Sequence, residues 1–244
     1  MARSSSASLA PAPSHERGVG SEPASPWIRP ARQRRSQRVL EAILDATLRL
    51  LNEKPFDEIR VLEICERVSC SPPSFYRRFR DKEALLHAVH ERHVAFVVEG
   101  VRRLLGPECW EGRSLSEVIR HFVHGMIEVE SQVTGLRITA TRRAAADRRF
   151  AERIREIRSA VFSGLHELLQ VRCSEHGQGD PEAAAGFLVR LVTGSAFSYF
   201  EYRDIDEPAL PLTRRDLEED LTRAVQSYLG VTPDAAVPRD GGQG

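Results

Sequence analysis

Cysteine is sparse in this chain of 244 residues: there are four, and no two of them have the spacing of a zinc ribbon or a redox motif. No uninterrupted apolar run reaches the roughly eighteen residues typical of a transmembrane helix, so no membrane-spanning segment is expected. The first residues lack the apolar core of a secretory signal. Glycine-rich phosphate loops, nucleophile elbows and paired catalytic carboxylates are also missing. These absences predict a cytoplasmic protein and give no support for an enzyme, a cofactor or a metal site.

The charge of the chain is balanced overall but unevenly distributed. Residues 1–82 contain fifteen Lys or Arg and ten Asp or Glu, whereas residues 83–244 contain twenty and twenty-five. Hydrophobic residues make up 41% of the chain, which is enough for an ordinary globular core. The basic first part therefore favours an anionic partner, and the acidic second part does not.

Apolar residues recur at steps of three and four along most of the chain, which is typical of amphipathic helices. No alternating run of β-branched residues is long enough to form a strand, so the predicted fold is all-α. The ends, residues 1–35 and 231–244, are rich in small and polar residues and are expected to be disordered. Helices are predicted from Ser36 to Pro55, over 60–68, from Pro72, from Asp81 to about 105, and near 114–131, 147–173, 180–202 and 213–229.

The stretch SCSPPSFYRRFRDKEAL, residues 69–85, places a short turn and a helix start directly after another short helix. Two short helices joined by such a turn have the geometry of a helix-turn-helix, here over residues 60–79, whose second helix enters the DNA major groove. Ser71 can cap this second helix, and Pro72 and Pro73 occupy positions whose backbone N–H has no intrahelical partner. The helix end that meets the DNA would thus present a compact apolar surface.

The aromatic and basic residues of the second helix separate by phase. Phe75 and Phe79 are four residues apart, share one face and can pack inward. Tyr76 and Arg77 lie on other faces, where a hydroxyl suits phosphate and a guanidinium suits phosphate or guanine. Taken alone, this pattern also fits an amphipathic helix with solvated arginines. The helix-turn-helix spacing and the lysine that follows favour DNA binding.

The stretch ILDATLRLLNEKPFDEIRVLEICERVSCSPPSFYRRFRDKEALLHAV resembles the N-terminal domain of the tetracycline-repressor (TetR) family of bacterial transcription regulators. The resemblance covers about 50 residues, from Val39 to Val89, and rests on SFYRRF followed by KEAL. Two positions depart from the family pattern, because Ser69 and Pro55 stand where the family usually has glycine in its turns. A serine at a turn position that needs a positive φ would carry modest strain.

The resemblance implies a role for each residue near the second helix. Ser74 and Tyr76 would contact phosphates or base edges, and Lys82 would hold the DNA backbone from the start of the fourth helix. Arg77 and Arg78 occupy variable positions and are candidates for base reading. Arg60, at the start of the first helix of the motif, would make a further phosphate contact. The candidate DNA-binding residues are therefore Arg60, Ser71, Pro72, Pro73, Ser74, Tyr76, Arg77, Arg78 and Lys82.

For the rest of the chain the resemblance implies a helical regulatory and dimerisation domain over 83–230, joined by a long helix to the DNA-binding domain of residues 36–82. Its last two helices would form a homodimer interface, and a small-molecule effector would release the protein, most simply a repressor, from a palindromic operator. A pocket would be lined by four residues of an apolar stripe that fits a plain core equally well. They are Phe122, Met126, Phe162 and Phe187.

Several features keep alternatives open. His87, His90 and His93 recur every third residue, yet three such imidazoles drift around the helix, so buried or solvated histidines are favoured over a metal site. The basic run 29–38 fits either a solvated linker or an arm that reaches DNA. The alternatives to a TetR-type regulator are a DNA-binding regulator of another helix-turn-helix family, and an enzyme or small-molecule carrier whose basic first part is incidental.

Overall fold

The computed structural model describes residues 25–29, 34–206 and 212–233, and all regular structure in these residues is helical. The all-α prediction is confirmed. Most of the predicted disordered ends and part of the basic run lie outside the described residues. Within the described residues the α-helices are α1 (Arg34–Glu53), α2 (Val61–Arg67), α3 (Pro72–Tyr76), α4 (Lys82–Leu105), α5 (Pro107–Trp110), α6 (Leu115–Ala144), α7 (Arg148–Val171), α8 (Pro181–Asp206) and α9 (Arg214–Leu229).

The helix boundaries follow the start and stop signals of the sequence, with one exception. α1 ends before Pro55, and α4 follows Asp81, whose Oδ1 accepts a hydrogen bond from the backbone N–H of Ala84 (2.7 Å). The exception is α6, which continues to Ala144 although the prediction ended it near residue 131. Its second half is rich in β-branched residues of low helix propensity, but Val133, Leu136 and Ala140 are buried at helical spacing, and this burial outweighs propensity.

The chain forms two compact units, each with its own buried residues. The first unit contains the described residues up to Glu99 together with Val129–Ser159. The second contains Gly100–Glu128 and the described residues from Ala160 onward. Thus α4, α6 and α7 contribute to both units.

In the second unit, α9 is held by well-formed ends and by its buried face. Thr213 and Asp216 form a reciprocal capping box at its start, and Gly230 ends it with a left-handed φ of 69°. The buried amide of Gln226 donates to Ser116 Oγ on α6 (3.0 Å). These contacts order the C-terminal helix that the sequence predicted as the last element.

One segment of α8, Pro181–Tyr202, is long and apolar enough to cross a membrane by length and composition, with a mean hydropathy of 1.3. Glu182 and Arg190 lie exposed on it, and 39% of the segment is buried inside the protein. A packed helix of a water-soluble protein has the same composition, so this segment does not indicate a membrane protein.

In the first unit, α1 approaches α6 closely at Gly135. A Cβ atom placed on Gly135 would lie 1.8 Å from the carbonyl oxygen of Leu51. Asn52 secures the same approach, because its Nδ2 donates to the carbonyl of Gln132 (2.6 Å) and its Oδ1 accepts from the N–H of Gly135 (3.0 Å). Only glycine fits at this point, where the obstacle is backbone rather than a movable side chain.

We expect Gly135→Ala to lower the melting temperature, because the new methyl group must push α1 and α6 apart; overpacking of this kind costs roughly 1–3 kcal/mol. The control is Gly179→Ala, at an exposed loop position where an added Cβ meets nothing within 4 Å. Thermal unfolding followed by circular dichroism compares the two. A Gly135→Ala protein as stable as the parent would contradict the close approach of α1 to α6.

Candidate nucleic-acid interface

The turn between α2 and α3 has a definite hydrogen-bonded geometry. The N–H of Cys70 donates to the carbonyl of Cys65 (2.9 Å), and the N–H of Ser69 donates to the carbonyl of Glu66 (3.2 Å). These two bonds form a Schellman motif at the end of α2, which requires a left-handed residue at Ser69. Its φ is 52°, so the strain anticipated for a serine at this turn position is present.

The second helix of the motif begins where the sequence predicted. Ser71 is the N-cap residue of α3, and Pro72 and Pro73 are its first two residues. Ser71 thus occupies the predicted N-cap position, but its side chain makes no capping hydrogen bond. Its carbonyl instead accepts from the N–H groups of Ser74 (2.8 Å) and Phe75 (3.2 Å).

α3 presents one buried face and one exposed face. Phe75 and Phe79 are fully buried, with ring centroids 5.3 Å apart, as the phase argument predicted. Tyr76 is 49% exposed and Arg77 is also exposed. The exposed surface therefore combines an aromatic hydroxyl with a guanidinium. Of the other seven predicted DNA-binding residues, Arg60, Ser71 and Pro73 are exposed. Half-buried are Pro72, Ser74 and Lys82, and Arg78 is buried.

Arg78, the second predicted base-reading candidate, has its guanidinium engaged inside the protein. Arg78 is only 7% exposed, and its guanidinium donates to the carbonyl (2.7 Å) and Oγ (2.8 Å) of Ser74 and to Oγ of Ser36 on α1 (2.9 Å). Burial, followed by the like charge of Arg77, lowers the pKa of Arg78. Its hydrogen-bonding capacity is used inside the protein, where it joins α3 to α1.

Lys82, predicted to hold the DNA backbone, makes several contacts within the protein. Its ammonium donates to the carbonyls of Phe56 (2.9 Å), Asp57 (3.3 Å) and Ile59 (2.9 Å), which uses all three N–H donors. The Nζ atom lies 4.5 Å from the ring centroid of Phe56. Lys82 thus closes the short 3-10 helix Phe56–Glu58 onto the start of α4, and its contact with the DNA backbone stays a prediction.

Residues 25–29 pack against the first unit, although the sequence prediction included them in a disordered extension. The N–H of Arg29 donates to the carbonyl of Arg78 (2.9 Å), and its guanidinium donates to the carbonyl of Tyr76 (3.3 Å). Trp27 stacks on His87 of α4, with ring centroids 3.9 Å apart. An isolated tryptophan in a polar, proline-containing segment was the only sequence signal of this contact.

The predicted pocket residues do not share one environment. Phe122 and Met126 on α6 are buried and Phe162 on α7 is half-buried. Phe187 is 42% exposed and packs on Tyr228 of α9 at 4.4 Å between ring centroids. Phe187 lies at the surface because its position on α8 faces away from the buried residues of that helix.

His87 and His90 of α4 are buried in the first unit, and His93 is half-buried. Burial lowers the pKa of His90 to about 3 and that of His93 to about 4. His87 and His90 both stack on Phe150 of α7, at 4.4 and 5.1 Å between ring centroids. Among the described residues, no group of three or more His, Cys, Asp or Glu side chains could hold a metal ion.

A seven-residue helix, a Schellman turn and a second helix with an exposed tyrosine and arginine define a helix-turn-helix DNA-binding protein. Residues 43–89 match the profile of the family described as bacterial regulatory proteins, tetR family. Residues 43–89 therefore form a TetR-family DNA-binding domain, and this domain makes the chain a DNA-binding transcription regulator. No curated protein sequence matches it significantly.

Solved structures share the fold at low sequence identity. A TetR-family transcriptional regulator from Mesorhizobium loti is 19% identical with a TM-score of 0.64, covering 81% of this chain and 98% of its own. GusR from Salmonella enterica is 19% identical with a TM-score of 0.57, covering 79% and 96%. A transcriptional regulator from Saccharomonospora viridis in complex with choline is 10% identical with a TM-score of 0.64, covering 78% and 96%.

We expect Lys82→Ala to destabilise the protein by roughly 1–3 kcal/mol, because three backbone carbonyls lose their charged donor. The control is Lys54→Ala, which removes only a partly exposed ion pair with Glu63 (2.7 Å) and should cost less than about 1 kcal/mol. Urea unfolding curves of both variants provide the measurement. If Lys82→Ala lost DNA affinity but no stability, the ammonium would act on DNA and the structural role would be wrong.

Proposed function

We propose that the protein represses transcription in the cytoplasm by binding a palindromic operator as a homodimer, and that a small molecule releases it. The observation that carries this proposal is the division of α3 into a fully buried aromatic face and an exposed face with Tyr76 and Arg77. Such a helix can enter the major groove without exposing its core. The exposed tyrosine and arginine then suit phosphate and base edges.

Within this proposal the DNA-binding residues have distinct roles. Arg77 reads a base edge, since it is exposed directly after Tyr76 at the C-terminal end of α3 and its neighbour Arg78 is engaged with Ser36 and Ser74. Tyr76 contacts a phosphate. Ser74 uses its hydroxyl proton for DNA, because its Oγ already accepts from Arg78. The exposed helix end and the start of α2 contribute further surface through Ser71, Pro72, Pro73 and Arg60.

A homodimer is supported by the exposed stripe of α8, in the second unit. This stripe consists of exposed residues at steps of three and four along the helix: Ala183, Phe187, Arg190, Gly194, Ser198 and Tyr202. Phe187 and Tyr202 are 42% and 44% exposed, and a Cβ on Gly194 would meet only open space. Small residues between exposed aromatics suit close approach of a second α8, and a dimer would bring two reading helices to half-sites about 34–36 Å apart.

A small-molecule effector is supported by the family and by one solved relative of the fold, the Saccharomonospora viridis regulator, which holds choline. In this chain we assign the effector to the apolar interior of the second unit, near Phe122, Met126 and Phe162. The exposed Phe187 is left out of this lining. An apolar or amphipathic molecule suits such a lining. Because coupling between sites is reciprocal, this molecule must bind the free protein more tightly than the DNA complex.

We expect Arg77→Ala to relax the sequence preference at one base position per half-site, because an arginine–guanine pair contributes roughly 1–3 kcal/mol of discrimination. Arg78→Ala should instead lower thermal stability, and Arg223→Ala on the exposed surface of α9 should change neither property. Selection from randomised operators, with binding titrations at fixed salt, separates these effects. If Arg77→Ala kept the parental preference, Arg77 would not read bases.

We expect Gly194→Arg to convert the dimer into a folded monomer, because the new side chain meets open space in one chain but blocks a second α8. The control is Gly179→Arg, at an exposed loop position where an added Cβ also meets nothing within 4 Å. Sedimentation equilibrium gives the molecular mass and circular dichroism checks the fold. Dimerisation of Gly194→Arg at parental strength would exclude the α8 stripe as the interface.

A further inference from the structure

Residues 25–29, which precede α1 and are here named the strap, contact the recognition helix α3 at its C-terminal end. The backbone N–H of Arg29 donates to the carbonyl of Arg78 (2.9 Å), and the Arg29 guanidinium donates to the carbonyl of Tyr76 (3.3 Å). The last carbonyls of a helix have no intrahelical donor. The strap therefore supplies hydrogen-bond donors for these carbonyls, which the chain following α3 does not supply.

The other end of the strap is anchored by the Trp27 ring. This ring is stacked on His87 of α4, with centroids 3.9 Å apart and 13° between the planes. The guanidinium carbons of Arg149 and Arg153, both on α7, lie 4.8 and 5.8 Å from the Trp27 ring. The buried indole N–H has no hydrogen-bond acceptor among the described residues, so stacking and cation–π contacts hold the ring.

The surface under Trp27 is itself fixed by polar contacts. The Nδ1 atom of His87 lies 3.1 Å from Arg153 and its Nε2 lies 3.1 Å from Asp147. Burial lowers the pKa of His87, so the imidazole is neutral, accepts from Arg153 and donates to Asp147. Ser25 adds a hydrogen bond from its hydroxyl to Glu91 on α4. Trp27 therefore rests on a ring of defined orientation between α4 and α7.

α3 needs support of this kind. It spans only Pro72–Tyr76, far below the length at which a helix is stable alone, and its first two residues are prolines without N–H groups. Recognition requires side chains such as Arg77 to be held within about 0.5 Å of their productive positions. Phe75 and the following Phe79 bury one side of this segment, and the Arg29 hydrogen bonds hold its C-terminal end.

We propose that Trp27 and Arg29 are positioning residues for DNA recognition, and that the strap ties the C-terminal end of the reading helix to α4 and α7. Neither residue needs to touch DNA in this role. The strap gives α3 a second attachment, besides the hydrogen bonds of Arg78 to Ser36, and sets the direction in which Tyr76 and Arg77 point. A movement of α4 or α7 is transmitted through Trp27 to the backbone of the reading helix.

The test is hydrogen exchange of the amides of residues 74–79 in the full-length protein, with Trp27→Ala and Trp27→Phe. In Trp27→Ala these amides should exchange roughly tenfold faster, as expected for the loss of one stacked aromatic contact. Trp27→Phe should restore slow exchange, because phenylalanine keeps the stack and the indole N–H bonds no acceptor. Operator affinity should follow the same order, with a roughly tenfold loss and a recovery.

The control is Val225→Ala, which removes a buried side chain of α9 in the second unit. It should lower overall stability without accelerating exchange at residues 74–79. Parental exchange in Trp27→Ala, or equal acceleration in Trp27→Phe, would overturn the proposal. If Trp27→Ala does not fold, Arg29→Pro takes its place: it removes the N–H donated to Arg78, and slow exchange in this variant refutes the strap. Exchange is measured without DNA, so the result does not depend on the proposed repression.

Discussion

The structure of the DNA-binding unit depends on one constraint: a reading helix of five residues cannot maintain its own orientation. It must therefore be held by contacts from outside the helix. Phe75 and Phe79 bury its inner face, Arg78 joins it to α1 through Ser36, and Arg29 donates to carbonyls at its C-terminal end. Each contact uses a different chemistry, so that apolar burial, charged hydrogen bonds and backbone pairing act on the same short helix.

The same constraint accounts for the role of Lys82. The turn before α2 and the start of α4 flank the helix-turn-helix on either side, and the Lys82 ammonium joins them by three hydrogen bonds to carbonyls. A lysine in this position stabilises the frame in which α2 and α3 sit. The strain of Ser69, with its positive φ, is the complementary cost of making a Schellman turn without glycine. Both features fix the orientation in which α3 is held, and neither places a charge on the outer face of α3.

The second unit serves other requirements. Its buried residues on α6 and α7 and its capped C-terminal helix give it an independent core, while α8 keeps Phe187 and Tyr202 at its surface. Exposed aromatics flanking small residues are costly in water unless a partner covers them. In the proposed dimer this surface is covered, and the distance between two reading helices becomes a property of the second unit. Repression and release would then depend on separate parts of one chain.

Local sequence patterns determined much of this protein. Prolines and caps set the start of α3 and α4 and the end of α1, the spacing of Phe75 and Phe79 set the buried face of α3, and the motif around them identified the family. These features depend on neighbours within one or two helical turns, which a sequence displays directly. Periodicity could not distinguish Arg77 from Arg78, because the partner Ser36 lies 42 residues away. The partners of Lys82 lie 23 to 26 residues away, and the partner of Trp27 lies on another helix. Only the tertiary structure therefore showed that these side chains are engaged within the protein.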